Sequence, residues 1–355
     1  MIPRFTIREI DFFERPVRLR MPFRFGVATL TESPQAFARV RIVVQGRQSE
    51  GAAAELLAPK WFDKNPALSN EDNFEQLRNS MRKAREAYLS GGSNTAYGHS
   101  RPTAGLVENY GPALLDRALL DALCRALGIS FYQAVKTNVP GIAFGGVDMP
   151  AFLSYLKPRA DIAARHTVGL VDPITAADNK AAVKDGLPET LEEVIARYGH
   201  RWFKLKVGGD VKADVERLNA IAAVLDRIPE PYHASFDGNE QYEDVGGVLE
   251  LWNRIKQEAR LKRLAQSVVF IEQPIRRQKA LAADISALAK QKPVIIDESD
   301  DSLDAFPRAK ALGYKGVSSK TCKGVYKSLI NAARCAEWGD GYFMSGEDLT
   351  VQAGL

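Results

Sequence analysis

The chain has 355 residues, 45% of them hydrophobic and 26% charged, which is enough for a large barrel or for two domains. Its formal charge of +4 is spread along the chain without a basic tail, so nothing marks a nucleic-acid partner. No stretch approaches the ~20 apolar residues that span a bilayer, and the start, MIPRFTIREIDFFERP, lacks the apolar core of a signal peptide. Cys124, Cys322 and Cys335 have no metal-site spacing, and their odd number fits a reduced compartment; the cytoplasm is the expected location.

From Ile2 to Val44 the sequence favours strands: FTIREIDFFE, VRLRMPFRFGVATL and QAFARVRIVVQG. Alternation, with breaks at SPQ and GRQSEG, predicts an antiparallel sheet of three. The apolar segment Met21 to Gly26 either packs on its own domain or closes over a ligand. From about Asn70 to Leu127 the pattern turns helical, in NEDNFEQLRNSMRKAREAYLS and GPALLDRALLDALCRALG, with Gly128 as the stop and a Gly/Ser/Asn-rich loop between the two. The expected organisation is an α+β capping domain over residues 1–130, a connecting segment over 131–160 and a barrel over 161–355.

Beyond about Pro150, short apolar strands alternate with amphipathic helices: HTVGLVD, RWFKLKV, YHASFDG, SVVFIEQ, PVIIDES, YKGVSSK and GYFMSGE are the strands. Such alternation predicts parallel βαβ units and, with charged residues at strand ends, a TIM-type (β/α) barrel. Seven strands leave two unpaired edges, so the last barrel unit is expected to be missing from this sequence.

The charged residues follow the strands. Lys204 and Lys206 share one side of a strand, because side chains alternate faces. Later strands end in Asp237, Glu272 and Asp297, with Glu298 beside the last, and a further strand ends in Lys320. Three converging carboxylates without a cation would force at least one pKa upward, whereas a hard divalent ion suits oxygen ligands. Each acid alone could simply cap a helix, but the run of signs across five strand ends argues for one site.

With KLK at 204–206, DGN at 237–239, EQP at 272–274, DES at 297–299 and Lys320, the sequence resembles the enolase superfamily, and within it the muconate lactonizing enzyme (mandelate racemase/muconate lactonizing enzyme) subgroup. The resemblance covers nearly the whole chain. It implies that Asp237, Glu272 and Asp297 bind one Mg2+, that Lys206 and Lys320 act as acid and base on opposite faces of a substrate, and that Lys204 lies beside the substrate carboxylate and repels the charge on Lys206. Asn239 and Glu298 match positions that support the metal site from behind, and Lys323 matches a frequent non-catalytic lysine. It further implies a small carboxylic acid substrate and a homo-oligomer.

The chemistry expected is abstraction of a proton α to a carboxylate through an enediolate, giving cycloisomerisation, racemisation or epimerisation, or dehydration. The enzyme would then be an isomerase or a lyase. A Schiff-base aldolase using Lys206 or Lys320, or a non-catalytic barrel, are the alternatives. For substrate contacts the candidates are Arg24, Phe25 and Glu347, with Arg20 and the segment 59–62 nearby. Lys323 and Lys327 are expected to be solvated, Cys322 to pack or to reach the pocket, and the four histidines to be structural. Gly208 and Gly209 suggest a phosphate loop only weakly, lacking a following Lys-Ser.

Overall fold

The computed structural model describes residues 2–347. An antiparallel sheet of order β3-β2-β1-β4 comes first, built from β1 (Phe5–Phe25), β2 (Ala28–Val44), β3 (Arg47–Leu56) and the short β4 (Ser93–Asn94). The first two expected strands are in fact one. The SPQ break does not occur, because Pro34 in β2 stands opposite Pro16 in β1, so each missing N–H faces a residue that also lacks one. The chain reverses instead at Gly26, whose positive φ suits the turn; a Cβ there would lie 2.7 Å from the Gln241 amide.

The Tyr110–Leu127 helix stops, as expected, at Gly128 in the left-handed conformation, and the Asn70–Leu89 helix starts at a capping box of Ser69 and Asp72. The second helix lies against β3 and buries Leu114, Leu115, Ala118, Leu119, Ala122 and Leu123. Ala and Leu at helical spacing provide that continuous face.

Within this core Asp116 accepts hydrogen bonds from the Tyr88 and Ser100 hydroxyls, both at 2.7 Å. Burial pushes its carboxyl from 3.8 up to about 7, against the opposing pull of those hydroxyls. A raised folded pKa means that the native state holds the extra proton between these values. The stability linked to this group is therefore complete below about pH 4 and lost as pH rises through 7. Urea unfolding of Asp116→Asn between pH 4 and 8 should lack this decline; the same slope in both proteins would contradict it.

The second sheet is parallel and open, in the order β11-β10-β9-β8-β7-β6-β5. Its strands are β5 (Arg165–Val168), β6 (Trp202–Lys206), β7 (His233–Asp237), β8 (Val268–Glu272), β9 (Val294–Ile296), β10 (Gly316–Ser319) and β11 (Phe343–Gly346). All seven lie where the sequence predicts them, and among the described residues β5 and β11 are its edges. Two of the stretches whose sequence predicts one continuous helix, VGGVLELWNRIKQEARLKRLA after β7 and KALAADISALAK after β8, are broken: the first by extended backbone at Glu258, the second into Arg277–Ala280 and Ser286–Ala289.

The barrel core sits between sheet and helices and contains Phe203, Leu205, Ala234, Phe236 and Ile271. These alternate with the inward-facing charges, so the apolar period of two places the site. No described helix is long and apolar enough to cross a membrane.

Candidate active site

Strand register brings the charges together. Lys206 pairs with Asp237, and Asp237 with Glu272, so three strands deliver their last residues to one rim. Asp297 and Lys320 follow the ends of β9 and β10. All of these, with Lys204, are buried. A parallel sheet holds its C-terminal ends level, which is why strand-end residues far apart in sequence meet.

Lys206 Nζ donates to Asp237 Oδ2 and Asn239 Oδ1, each at 2.6 Å. Lys204 Nζ lies 2.8 Å from Asp237 Oδ2, 2.9 Å from Glu272 Oε2 and 2.5 Å from Glu347 Oε2. Lys320 Nζ lies 2.6 Å from Asp297 Oδ2 and 2.8 Å from the same Glu347 oxygen. Burial opposes the charge on Lys204 and Lys320, but the surrounding carboxylates outweigh it and hold both ammonium groups firmly protonated. For Asp237 and Glu347 burial is likewise outweighed, here by the lysines, and both carboxyls stay well below their usual range.

Glu272 is different, because burial dominates and pushes it up to about 7. Neither of its oxygens has a partner in hydrogen-bonding geometry, although the Lys204 ammonium is close to one of them. One oxygen each from Glu272, Asp297 and Glu347 can be found within 4.8 Å of the others. Asp237, expected among the ligands, is not in this group: Lys204 and Lys206 engage its Oδ2. Buried carboxylate oxygens without donors are the chemistry a hard divalent cation satisfies, so the residues present fit Mg2+.

Asn239 and Glu298 stand behind this cluster, joined by a 3.2 Å hydrogen bond from the Asn239 amide to Glu298 Oε1. Asn239 holds a positive φ, as does the next residue, Glu240. Both are held by contacts that have no local signal in the chain. Lys64, from the cap, donates to the Asn239 carbonyl at 2.8 Å and lies 3.0 Å from Glu298 and 2.6 Å from Glu240. Arg277 binds Glu240 and donates to the carbonyls of Trp61 and Phe62 at 2.9 and 2.8 Å. Neither residue lies at a strand end or in a periodic segment, which is why the sequence was silent.

The cap closes the site into a cavity of about 120 Å³. Its roof is Phe23, Phe25, Leu30, Ala58 and Trp61, and its floor carries Lys204, Lys206, Asp237, Asn239, Asp297, Lys320 and Glu347. The Phe23 ring lies 5.9 Å from Lys206 Nζ and the Trp61 ring 5.4 Å from Lys320 Nζ. The apolar segment 21–26 thus closes over the site, and the Leu170 N–H ties it down through the Arg24 carbonyl at 3.1 Å. A larger hollow of about 860 Å³, lined by Leu120, Cys124, Phe131 and Val325, lies outside and shares only Glu347 with this cavity.

Other expectations are corrected. Arg24 is exposed and does not line the cavity, because strand alternation that turns Phe23 and Phe25 inward turns it out. Arg20 is taken by Asp185 at 2.6 Å. Substituting Arg20 by alanine should therefore leave substrate KM unchanged in steady-state kinetics; a severalfold rise would show that it binds substrate. Lys323 and Lys327 are buried, not solvated, because Asp300 lies within 3.3 and 3.4 Å of them and Asp297 within 3.2 Å of Lys323. Cys322 packs in the cap core. The Gly208 and Gly209 N–H groups bind the Asp214 carboxylate, which occupies the place a phosphate would take.

Residues 186–352 match the family described as Enolase C-terminal domain-like. The chain is 22% identical to N-succinyl-L-Arg/Lys racemase from Bacillus cereus over 91% of its own length and 75% of the relative's. Among solved structures, a mandelate racemase/muconate lactonizing protein from Herpetosiphon aurantiacus is similar with a TM-score of 0.62 and 21% identity, covering 96% of this chain and 82% of that one. Dipeptide epimerase from Methylococcus capsulatus, solved with Mg and the dipeptide L-Arg-D-Lys, gives 0.62 and 19%, covering 97% and 83%.

Proposed function

Given that the chain has the fold of the enolase superfamily and matches its C-terminal domain over residues 186–352, we propose that it is a magnesium-dependent isomerase that moves a proton α to a carboxylate. One observation carries this reading: Lys206 ends β6 and Lys320 follows β10, with β7, β8 and β9 between them, and both line one cavity together with the buried Asp237 and Asp297. A proton α to a carboxylate is very weakly acidic, and two amines on opposite faces allow one to remove it while the other returns it.

A divalent cation held by Glu272, Asp297 and a further carboxylate, Asp237 or Glu347, would lower the energy of the charge that develops on the substrate carboxylate. The chain's own residues do the rest. Lys204 supplies a fixed ammonium beside that carboxylate; the Glu347 oxygen shared by Lys204 and Lys320 shows that the pair can hold an anion between them. Asn239 aims Lys206, and Lys320, kept protonated by Asp297 and Glu347, is ready to donate. Phe23, Phe25 and Trp61 exclude water from the reacting carbon.

Proton return to the opposite face gives racemisation or epimerisation, the reactions named for the Bacillus cereus and Methylococcus capsulatus relatives. This outcome is preferred to cycloisomerisation or dehydration because two lysines at well-separated strand ends suit a proton that leaves one face and returns to the other. A Schiff-base aldolase would leave the buried acids without a task. The test is magnesium-dependent exchange of α-protons for deuterium, followed by NMR across N-acylated amino acids, dipeptides, muconates and sugar acids. Exchange in one class would name the substrate; exchange that persists unchanged in chelator would remove the metal from the reading.

A further inference from the structure

We infer that Lys64 is a positioning residue through which the capping domain sets the direction of the Lys206 amine. This inference rests on the proposed proton-transfer reading and extends it to a residue outside the cavity wall. Lys64 lies in the segment between β3 and the Asn70–Leu89 helix, on the opposite domain from every charge in the cluster. Its ammonium makes three contacts on the barrel: the Asn239 carbonyl, Glu240 Oε2 and Glu298 Oε1. Asn239 Nδ2 donates to that same Glu298 oxygen, and its Oδ1 accepts from Lys206.

An Asn amide has one donor end and one acceptor end, so fixing the first fixes the second. Lys64 neutralises the buried Glu298 and binds the Asn239 main chain, which sits at a positive φ that needs outside support. Among the described residues the polar partners of Lys320 are Asp297, Glu272, Glu347 and Ser318, all on the barrel, and its cap neighbour is the apolar Trp61 ring, not a chain of hydrogen bonds like that from Lys64 through Glu298 and Asn239 to Lys206. Arg277 adds a second tie by holding the Trp61 and Phe62 carbonyls of the same segment while it binds Glu240. A hydrogen-bonded chain thereby runs from the cap to Lys206, whereas Lys320 meets the cap through the face of the Trp61 ring at 5.4 Å.

This asymmetry makes the role measurable. With a chiral substrate, each lysine exchanges the α-proton of one enantiomer, so the two faces can be read separately. In Lys64→Met, kcat for exchange at the Lys206 face should fall at least tenfold while exchange at the Lys320 face changes less than threefold, and Lys64→Arg should restore most of the loss. In parallel, amide hydrogen exchange of residues 57–65 should be at least tenfold faster in Lys64→Met. An equal fall at both faces would mean that Lys64 only supports the fold, and would overturn the inference. So would amide exchange that matches the wild type. If wild-type protein exchanges neither face of any carboxylate offered, the proposed reaction fails instead, and the amide exchange alone decides whether Lys64 docks the cap.

Discussion

Lys206→Ala and Lys320→Ala should each lower kcat for the proposed racemisation or epimerisation by about 10²- to 10⁴-fold, the usual contribution of a positioned acid or base. The two variants should differ in what survives. Each removes the amine from one wall of the cavity and leaves the other in place, so α-deuterium exchange should persist for one enantiomer and vanish for the other, in opposite senses. NMR on separated enantiomers reads this directly. Equal loss of both exchanges in both variants would point to one shared base and would sink the two-faced arrangement. The structure also predicts a side effect. Lys206 shares Asp237 with Lys204, which can still neutralise it, whereas Lys320→Ala leaves Asp297 to Lys323 alone. Some loss of stability is expected in both, so kinetics must be compared at temperatures where each variant is folded.

Magnesium should raise the melting temperature of the wild-type protein, and Glu272→Gln should abolish that rise. A ligand at a hundred times its Kd stabilises a fold by about 2.7 kcal/mol, which is several degrees for a chain of this kind. Without metal, the Gln variant should differ little in stability from the wild type: it gives up the 2.9 Å ion pair with Lys204, which keeps Asp237 and Glu347, and it relieves the burial of a carboxylate whose oxygens have no hydrogen bonds. Asp297→Asn should behave differently. It also weakens metal binding, but it takes one charged partner from each of two buried ammonium groups; Lys320 keeps Glu347 and Lys323 keeps Asp300, so the loss of stability should be measurable yet smaller than the about 3–5 kcal/mol of a stranded buried charge. Differential scanning calorimetry with and without magnesium separates the two. A magnesium shift retained in Glu272→Gln would remove this residue from the metal site.

The same comparison can ask which third acid belongs to the site. The sequence pattern points to Asp237, whereas Glu347 lies closer to Glu272 and Asp297 in the structure. Both lie within reach of Lys204, so each has an ammonium available when it is not needed by a cation.

The sequence by itself determined the seven parallel strands, the order of charges along them and the sidedness of Lys204 and Lys206. The reason is that each is a local property: a period of two sorts a strand's side chains into two faces, and a run of apolar residues ending in a charge marks where a strand leaves the core. It also determined the two long cap helices, through Ser69 with Asp72 at one start and Gly128 at one stop.

Only the tertiary structure decided which distant groups share a charge. Lys323 and Lys327 look like solvated helix-start residues until Asp300 is placed beneath them, and Arg24 looks like an anion ligand until its strand turns it outward. Lys64 and Arg277 carry no periodic or motif signal, because their partners belong to the opposite domain or to another loop. Burial of a lysine or an acid is tolerable only with a partner of opposite sign, and that partner is supplied by packing between elements, which no local pattern in the chain encodes.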